Sequence, residues 1–432
     1  MIVGRRPESV AIPALPGEVE RRRLANGLEV CLLRNRQAPI VSTALFYRAG
    51  CRDEAPGRAG VAHFLEHMMF KGSARYGPGE VDRRTQELGG TNNAFTSHDV
   101  TAYWFAFAAD RWSEALAIEA DRMRGLRLDS REVDAERQVI LEEIDMYRDD
   151  PWEALELDVV AALFAGHPYG RPILGTADEL RASGRDELAD FHRRSYRADN
   201  AVLVVAGDLD ETAAARVEEA LGGLPAGDGE RRAECPPPRC PERPTRVERR
   251  QGEVARLLVA LPAPAADEPD HAELQLAAAL LAEGRSSRLQ RELVEVGQLC
   301  LGVSATVSEH EIAAYLGVAA ELLPTTDPGD VECRLLAALS ELGTPAGEDE
   351  LERARQVLRT DWVHEHERIH QQAVAAGVAL TQFDLEQPGR VLRRVEEASA
   401  EEVAAAARRW LDPEGGIVVG ACLPEGRRQS VA

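Results

Sequence analysis

The sequence predicts an α+β chain of two similar halves, and three observations lead there. At 432 residues the chain is too long for one ordinary hydrophobic core, so two or more domains are expected. Pro225 to Pro244 reads Ala-Gly-Asp-Gly-Glu and then Cys-Pro-Pro-Pro-Arg-Cys-Pro-Glu-Arg-Pro. Pro and Gly at that density can continue neither a helix nor a central strand. Each remaining part opens with strand-like alternation, continues into helices and closes on an apolar strand. That closing strand is Ala201-Val-Leu-Val-Val-Ala206 in the first part and Gly416-Ile-Val-Val-Gly-Ala421 in the second. The expected division is an N-terminal domain over residues 1–225, a Pro-rich linker over 226–245 and a C-terminal domain over 246–432.

Composition excludes several classes. A hydrophobic content of 44% is globular, and no run of 18 apolar residues reads as a membrane span. The opening Met1-Ile-Val-Gly-Arg-Arg-Pro-Glu-Ser-Val10 lacks the apolar centre of a secretory signal, so the expectation is either a cytoplasmic protein or a chain that has already been processed. The formal net charge of −23 argues against a nucleic-acid partner, whose phosphates would be repelled. Seven cysteines, an odd number without paired spacing, favour reduced thiols over a disulfide framework. Cys235 and Cys240 bracket the Pro-rich stretch, where a bridge or a metal clip could also form.

The most informative segment is Gly60-Val-Ala-His-Phe-Leu-Glu-His-Met-Met-Phe70. On a helix, His63 and His67 are i and i+4 neighbours, so both imidazoles can reach one ion. Glu66, three residues from His63, can lean over a water held by that ion. Zinc bound by two neutral imidazoles and one more protein ligand keeps a position open for water and lowers its pKa to roughly 7. A nearby carboxylate can then take the proton. This is the inverted order of the commoner His-Glu-x-x-His arrangement. Two surface histidines on an ordinary helix would give the same five letters, but Val61, Phe64, Leu65, Met68, Met69 and Phe70 supply buried faces around the polar trio. A packed surround is what a preorganised metal site needs.

A third ligand should come from elsewhere. Residues 132–148 read as an amphipathic helix with Val133, Val139 or Ile140, and Ile144 as its apolar stripe. Glu136 and Glu143 are about two turns apart and share a face. One could ligate a cation with the other supporting it; alternatively the helix is a solvated acidic face.

Leu24 to about Leu224 resembles the N-terminal half of the pitrilysin/insulinase zinc metallopeptidases, the inverzincins. It is most similar to the smaller bacterial members related to mitochondrial processing peptidase. The resemblance rests on Leu24-Ala-Asn-Gly-Leu-Glu-Val30, Gly60 to Gly72, Gly89-Gly-Thr-Asn-Asn-Ala-Phe-Thr-Ser97 and Thr101-Ala-Tyr-Trp104. Glu136-Arg-Gln-Val-Ile-Leu-Glu-Glu-Ile144 and Asn200-Ala-Val-Leu-Val-Val-Ala-Gly-Asp208 complete it. Carried over by position, it implies His63, His67 and Glu143 as ligands of one zinc per chain and Glu66 as general base. Glu136 falls where the family keeps a supporting carboxylate, and Asn93-Ala94 on a strand that lies beside the bound peptide. The fold implied is two homologous domains, each a mainly antiparallel sheet with helices on one face, in a clamshell assembly with a partner chain. The activity implied is endopeptidase cleavage of short or unfolded peptides inside a chamber. A non-catalytic subunit, or one that removes targeting segments, is the alternative.

The second half repeats the first faintly. The helix Ala272 to Leu281 would be the counterpart of the His63 helix, and Arg355-Gln356-Val357 echoes Arg137-Gln138-Val139, without a second inverted motif. His366-Glu367-x-x-His370 has the ordinary zincin order, but its polar surroundings favour a solvated helix face. One departure from the family pattern bears on mechanism. Active relatives carry an Arg and, seven residues on, a Tyr in this half; here those positions are Val294 and Leu301. Losing such a donor typically costs ~10²–10³ in rate. The resemblance therefore implies a heterodimer, with a homologous partner lacking the zinc motif and supplying Arg and Tyr.

Overall fold

In this computed structural model, which describes residues 17–227 and 232–425, the strand-forming runs gather into two sheets. The first holds β1 (Glu18–Arg23), β2 (Glu29–Arg34), β3 (Ile40–Tyr47), β4 (Thr91–Thr96), β5 (Thr101–Ala108) and β6 (Ala201–Gly207). Its spatial order is β1-β2-β6-β3-β5-β4, and only the β2–β6 pair is parallel. The second sheet holds β7 (Thr245–Arg250), β8 (Arg256–Ala263), β9 (Cys300–Val307), β10 (Ala314–Leu322) and β11 (Val418–Leu423). Its order is β7-β11-β8-β10-β9, again with one parallel pair, β7–β11. Leaving out β1, the two orders match strand for strand: β2 with β7, β6 with β11, β3 with β8, β5 with β10, β4 with β9. A repeat that is faint in identity is plain in topology.

Both sheets are covered on both faces. Val30, Leu32, Leu45, Tyr103 and Leu203 of the first sheet pack against helices of their own half, including Val61–Met68, Ser113–Gly125 and Ser130–Asp149. The opposite face, with Leu33, Ala44, Phe46 and Val204, receives Ala373, Ala376 and Leu380 of the helix Ile369–Gln382, from the other half. The second sheet reciprocates: Leu258, Ala260 and Val418 receive Leu155, Val159 and Leu163 of the helix Pro151–Leu163. Each half thus lends one helix to the sheet of the other. Two glycines permit the close approach. A Cβ on Gly377 would lie 1.9 Å from the Phe46 ring, and one on Gly420 would lie 2.3 Å from Val159. Burial on both faces also explains why β6, buried at every position, reads as a continuous apolar run rather than an alternation.

A polar hub joins the halves beside the first sheet. Arg52 pairs with Asp99 at 2.7 Å and with Glu311 at 2.9 Å. Arg232, from the Pro-rich stretch, pairs with Asp53 at 2.6 Å and with Glu311 at 3.1 Å. Tyr169 donates its hydroxyl to Asp99 and accepts the Ile312 N–H. Asp99 is 1% exposed, and a guanidinium, a phenol and the Glu311 N–H surround it, the kind of full pairing a buried carboxylate needs.

All seven cysteines are free, Cys235 and Cys240 included, as the odd count suggests. No helix among the described residues is long and apolar enough to cross a membrane. The opening stretch Met1 to Val10, on which the expectation of a cytoplasmic protein rests, lies outside the described residues.

Candidate metal centre

The helix that carries His63 starts where Gly60 turns the chain. Its φ of 94° is left-handed, and a Cβ there would lie 2.4 Å from the Leu174 carbonyl oxygen, so glycine is required. Gly60 has no side chain to cap the helix. Glu54, 5% exposed, does so instead, accepting the N–H groups of Gly60 at 3.1 Å and Ala62 at 2.8 Å. Burial pushes the Glu54 carboxyl up to about 8, against the pull of those two N–H groups. Val61, Ala62, Phe64, Leu65 and Met68 are buried and fix the helix axially and in rotation. The second helix, Ser130–Asp149, is capped by Asp129 through the Arg131 N–H and ends at Asp150, whose side chain caps the helix after it. Val133, Ile140 and Ile144 are its buried stripe, whereas Val139 is 49% exposed. Ile140, not Val139, therefore completes the stripe.

These two helices bring His63, His67 and Glu143 together, with one ligand atom of each within 4.8 Å of the others. Glu143 Oε2 stands 4.0 Å from His63 Nε2 and 3.6 Å from His67 Nε2. Among the described residues this is the only such group of three. Glu136 sits behind it: its Oε1 is 2.8 Å from His67 Nδ1 and its Oε2 is 2.5 Å from Lys71 Nζ. A carboxylate oxygen at that distance accepts from Nδ1–H, which leaves Nε2 as the nitrogen that faces Glu143 and can take a cation. His63 has no such support: among the described residues its buried Nδ1 has no hydrogen-bond partner.

The electrostatics suit a cation. Burial, then the neighbouring His67, pushes the His63 imidazole down to about 3, so it is neutral near pH 7. His67 shifts the other way: burial opposes its charge, but the Glu136 hydrogen bond and the carboxylates Glu66, Glu136 and Glu143 outweigh it. Three carboxylates around one imidazole leave a deficit of positive charge. Two imidazole nitrogens and one carboxylate oxygen, with an open side, are a donor set that zinc accepts. The residues fit the metal. Glu66 lies alongside, its proton affinity raised by burial and by Glu143, and restrained by a hydrogen bond from Thr96 and by His67.

A cavity of about 630 Å³ opens over the cluster. Its walls include Ala94 to His98, Tyr147 and, from the second half, Ser308, His310 and Tyr315. The polar hub reaches this wall, because Glu311 and Ile312 hold the loop that carries Ser308 and His310. Asn93 is exposed on β4, the edge strand, and Ala94 is half-buried. The Ala94 N–H is bonded to the Asn93 side chain at 2.9 Å rather than to β5, so it faces the open edge.

The zincin-ordered histidines do not form a site. The helix Glu348–Glu365 ends before His366 and the next begins at Ile369, so the two rings do not share one helix. His366 stacks on Trp362 and its Nδ1 meets the Trp362 carbonyl, while His370 stacks on Trp104 with ring centroids 4.6 Å apart. The segment is a helix junction rather than a solvated helix face. Val294 packs against the core of the second half and Leu301 is 55% exposed on β9; neither lines the cavity. Sequence reasoning missed Glu54, Lys71, Thr96, His310 and Tyr315. Glu54, Lys71 and Thr96 sit in or near the quoted motifs without a spacing that announces a role; His310 and Tyr315 arrive only through the contact between halves.

Comparison with known proteins adds the following. The family model "Insulinase (Peptidase family M16)" matches residues 29–177, and "Peptidase M16 inactive domain" matches residues 184–358. An uncharacterised zinc protease of Mycobacterium leprae is 32% identical over 311 residues, 70% of this chain and 69% of that protein. An uncharacterised zinc protease of Mycobacterium bovis is 29% identical over 436 residues, covering 98% of this chain and 97% of that protein. Among solved structures, a protease from Helicobacter pylori is similar with a TM-score of 0.89 at 23% identity, over 95% of this chain and 100% of that one.

Proposed function

The chain belongs to the insulinase family of peptidases, family M16, and from that premise we propose that it is a zinc endopeptidase that cleaves short or unfolded peptides in an enclosed chamber. The observation that carries this reading is the meeting of His63, His67 and Glu143 from two helices under an open cavity. His63 and His67 through Nε2 and Glu143 through a carboxylate oxygen would hold one zinc. When bound, the ion supplies Lewis acidity toward a water and a peptide carbonyl. Glu66 is the general base: it takes the water's proton on a carboxylate oxygen and returns it to the leaving amine. Glu136 keeps His67 in the tautomer that ligates. Backbone of the peptide adds as a strand along β4 at Asn93-Ala94, where the Asn93 amide gives up the outward Ala94 N–H. The division of the halves at the Pro-rich stretch 226–245 is part of the same reading, supported by the end of β6 at Gly207 and the start of β7 at Thr245.

Removing the metal with a chelator is expected to abolish cleavage of a short unstructured peptide, and added zinc to restore it; cleavage that persists in the metal-free chain would end the reading. Glu136→Gln should weaken zinc binding by ~10–100-fold, as loss of a carboxylate behind a ligating histidine does elsewhere. Competition with a chromophoric chelator measures it, and an unchanged affinity removes Glu136 from the site. Because Val294 and Leu301 offer no side-chain donor, the full rate requires a homologous partner chain that brings an Arg and a Tyr. Full-rate turnover by the isolated chain would dispose of that requirement.

A further inference from the structure

Thr96 ends β4 and faces Glu66. Its Oγ1 donates to Glu66 Oε2 at 2.5 Å, a charge-assisted bond of the short, strong kind. Among the described residues, the Thr96 bond is the one hydrogen bond to the Glu66 carboxylate, and it leaves Oε1 unengaged beside the cavity that Glu66 lines. The two oxygens of the base are therefore unequal: one is held and the other is open. A glutamate without such a hold has a broad terminal torsion and swings its carboxylate over a wide arc. Threonine suits the task because its β-branch is stiff at χ1, and its backbone is fixed by pairing with Thr101 across β5.

We propose that Thr96 is a positioning residue for the reaction, clamping Glu66 Oε2 so that Oε1 is presented to the water whose proton it takes. The inference rests on the reading of Glu66 as general base. It also ties the base to the strand along which the peptide is proposed to lie, since Thr96 is two residues from Ala94 on β4 and both line the cavity. The alternative is that the hydroxyl merely satisfies a half-buried carboxylate. In that case its loss would disturb stability or metal uptake without singling out the chemical step.

The test compares Thr96→Val, which keeps the shape and removes the hydroxyl, with Thr96→Ser, which keeps the hydroxyl. Both are made in the full chain, with the partner chain present if the wild type requires one. With zinc content and KM near wild type, Thr96→Val is expected to lose ~10–100-fold in kcat, the scale on which small misplacements of a reacting group act, and Thr96→Ser to recover most of it. Crystals of the metal-free variants give a second readout: the Glu66 carboxylate should leave its position in Thr96→Val and keep it in Thr96→Ser. A Thr96→Val enzyme with unchanged kcat, a Thr96→Ser enzyme as impaired as Thr96→Val, or an unmoved Glu66 in the Thr96→Val crystal overturns the proposal. If Val is not tolerated, Thr96→Ala carries the same comparison. Should the wild-type chain take up no zinc or cleave no peptide, the reading of the site fails, while the metal-free crystals still decide whether Thr96 holds Glu66.

Discussion

Glu66→Gln is expected to bind zinc as the wild type does and to lose ~10²–10⁴-fold in kcat, the contribution usual for a positioned general base. The amide matches the carboxylate in shape, and its oxygen can still accept the Thr96 hydroxyl, so neither the helix nor the three ligands should shift. What it cannot do is take a proton. Burial and the adjacent Glu143 raise the proton affinity of Glu66 above that of an ordinary glutamate, which makes it a better base near neutral pH than an exposed carboxylate. Peptide turnover and metal analysis on the same preparation measure both halves of the expectation. His67→Ala is the contrasting variant: it removes a proposed ligand and should lose metal and turnover together. Turnover retained by Glu66→Gln would move the base elsewhere in the cavity.

The members of the candidate metal cluster were legible in the sequence because they are local. His63 and His67 share one turn, and Glu136 and Glu143 share one face of a helix. Their meeting was not readable from spacing and came from resemblance. The exchange of helices between halves was hidden for a physical reason. Ala373, Ala376 and Gly377 look like an unremarkable small-residue face, and only the ring of Phe46, more than three hundred positions away, gives that smallness a use. The His366/His370 pair misleads in the opposite way, because its spacing assumes a continuous helix and the chain breaks between them. Contacts across the hub, Arg52 to Glu311 and Arg232 to Asp53, are likewise pairs of common surface residue types until the fold buries them.

Arg122→Met is expected to cost ~3–5 kcal/mol of stability, the usual consequence of breaking a buried ion pair from one side. Arg122 and Glu119 are each 1% exposed and form a two-pronged pair one turn apart on the helix Ser113–Gly125, with Arg122 Nε 2.7 Å from Glu119 Oε2. The guanidinium lies 4.2 Å from the centroid of the Tyr103 ring, with Phe70 and Phe105 on its other sides. Substituting Met fills much of the volume but strands the Glu119 carboxylate where burial already opposes its charge. Replacing both residues by apolar side chains removes the stranded charge, so Glu119→Leu with Arg122→Met should regain most of the loss. Denaturant unfolding of the metal-free single and double variants decides the matter: additive losses would mean the two residues act separately, whereas recovery in the double variant identifies the pair. The pair also reaches the site, because Arg122 is one of the charges that restrain the proton affinity of Glu66. A stable double variant would therefore separate what this buried charge contributes to the fold from what it contributes to the base.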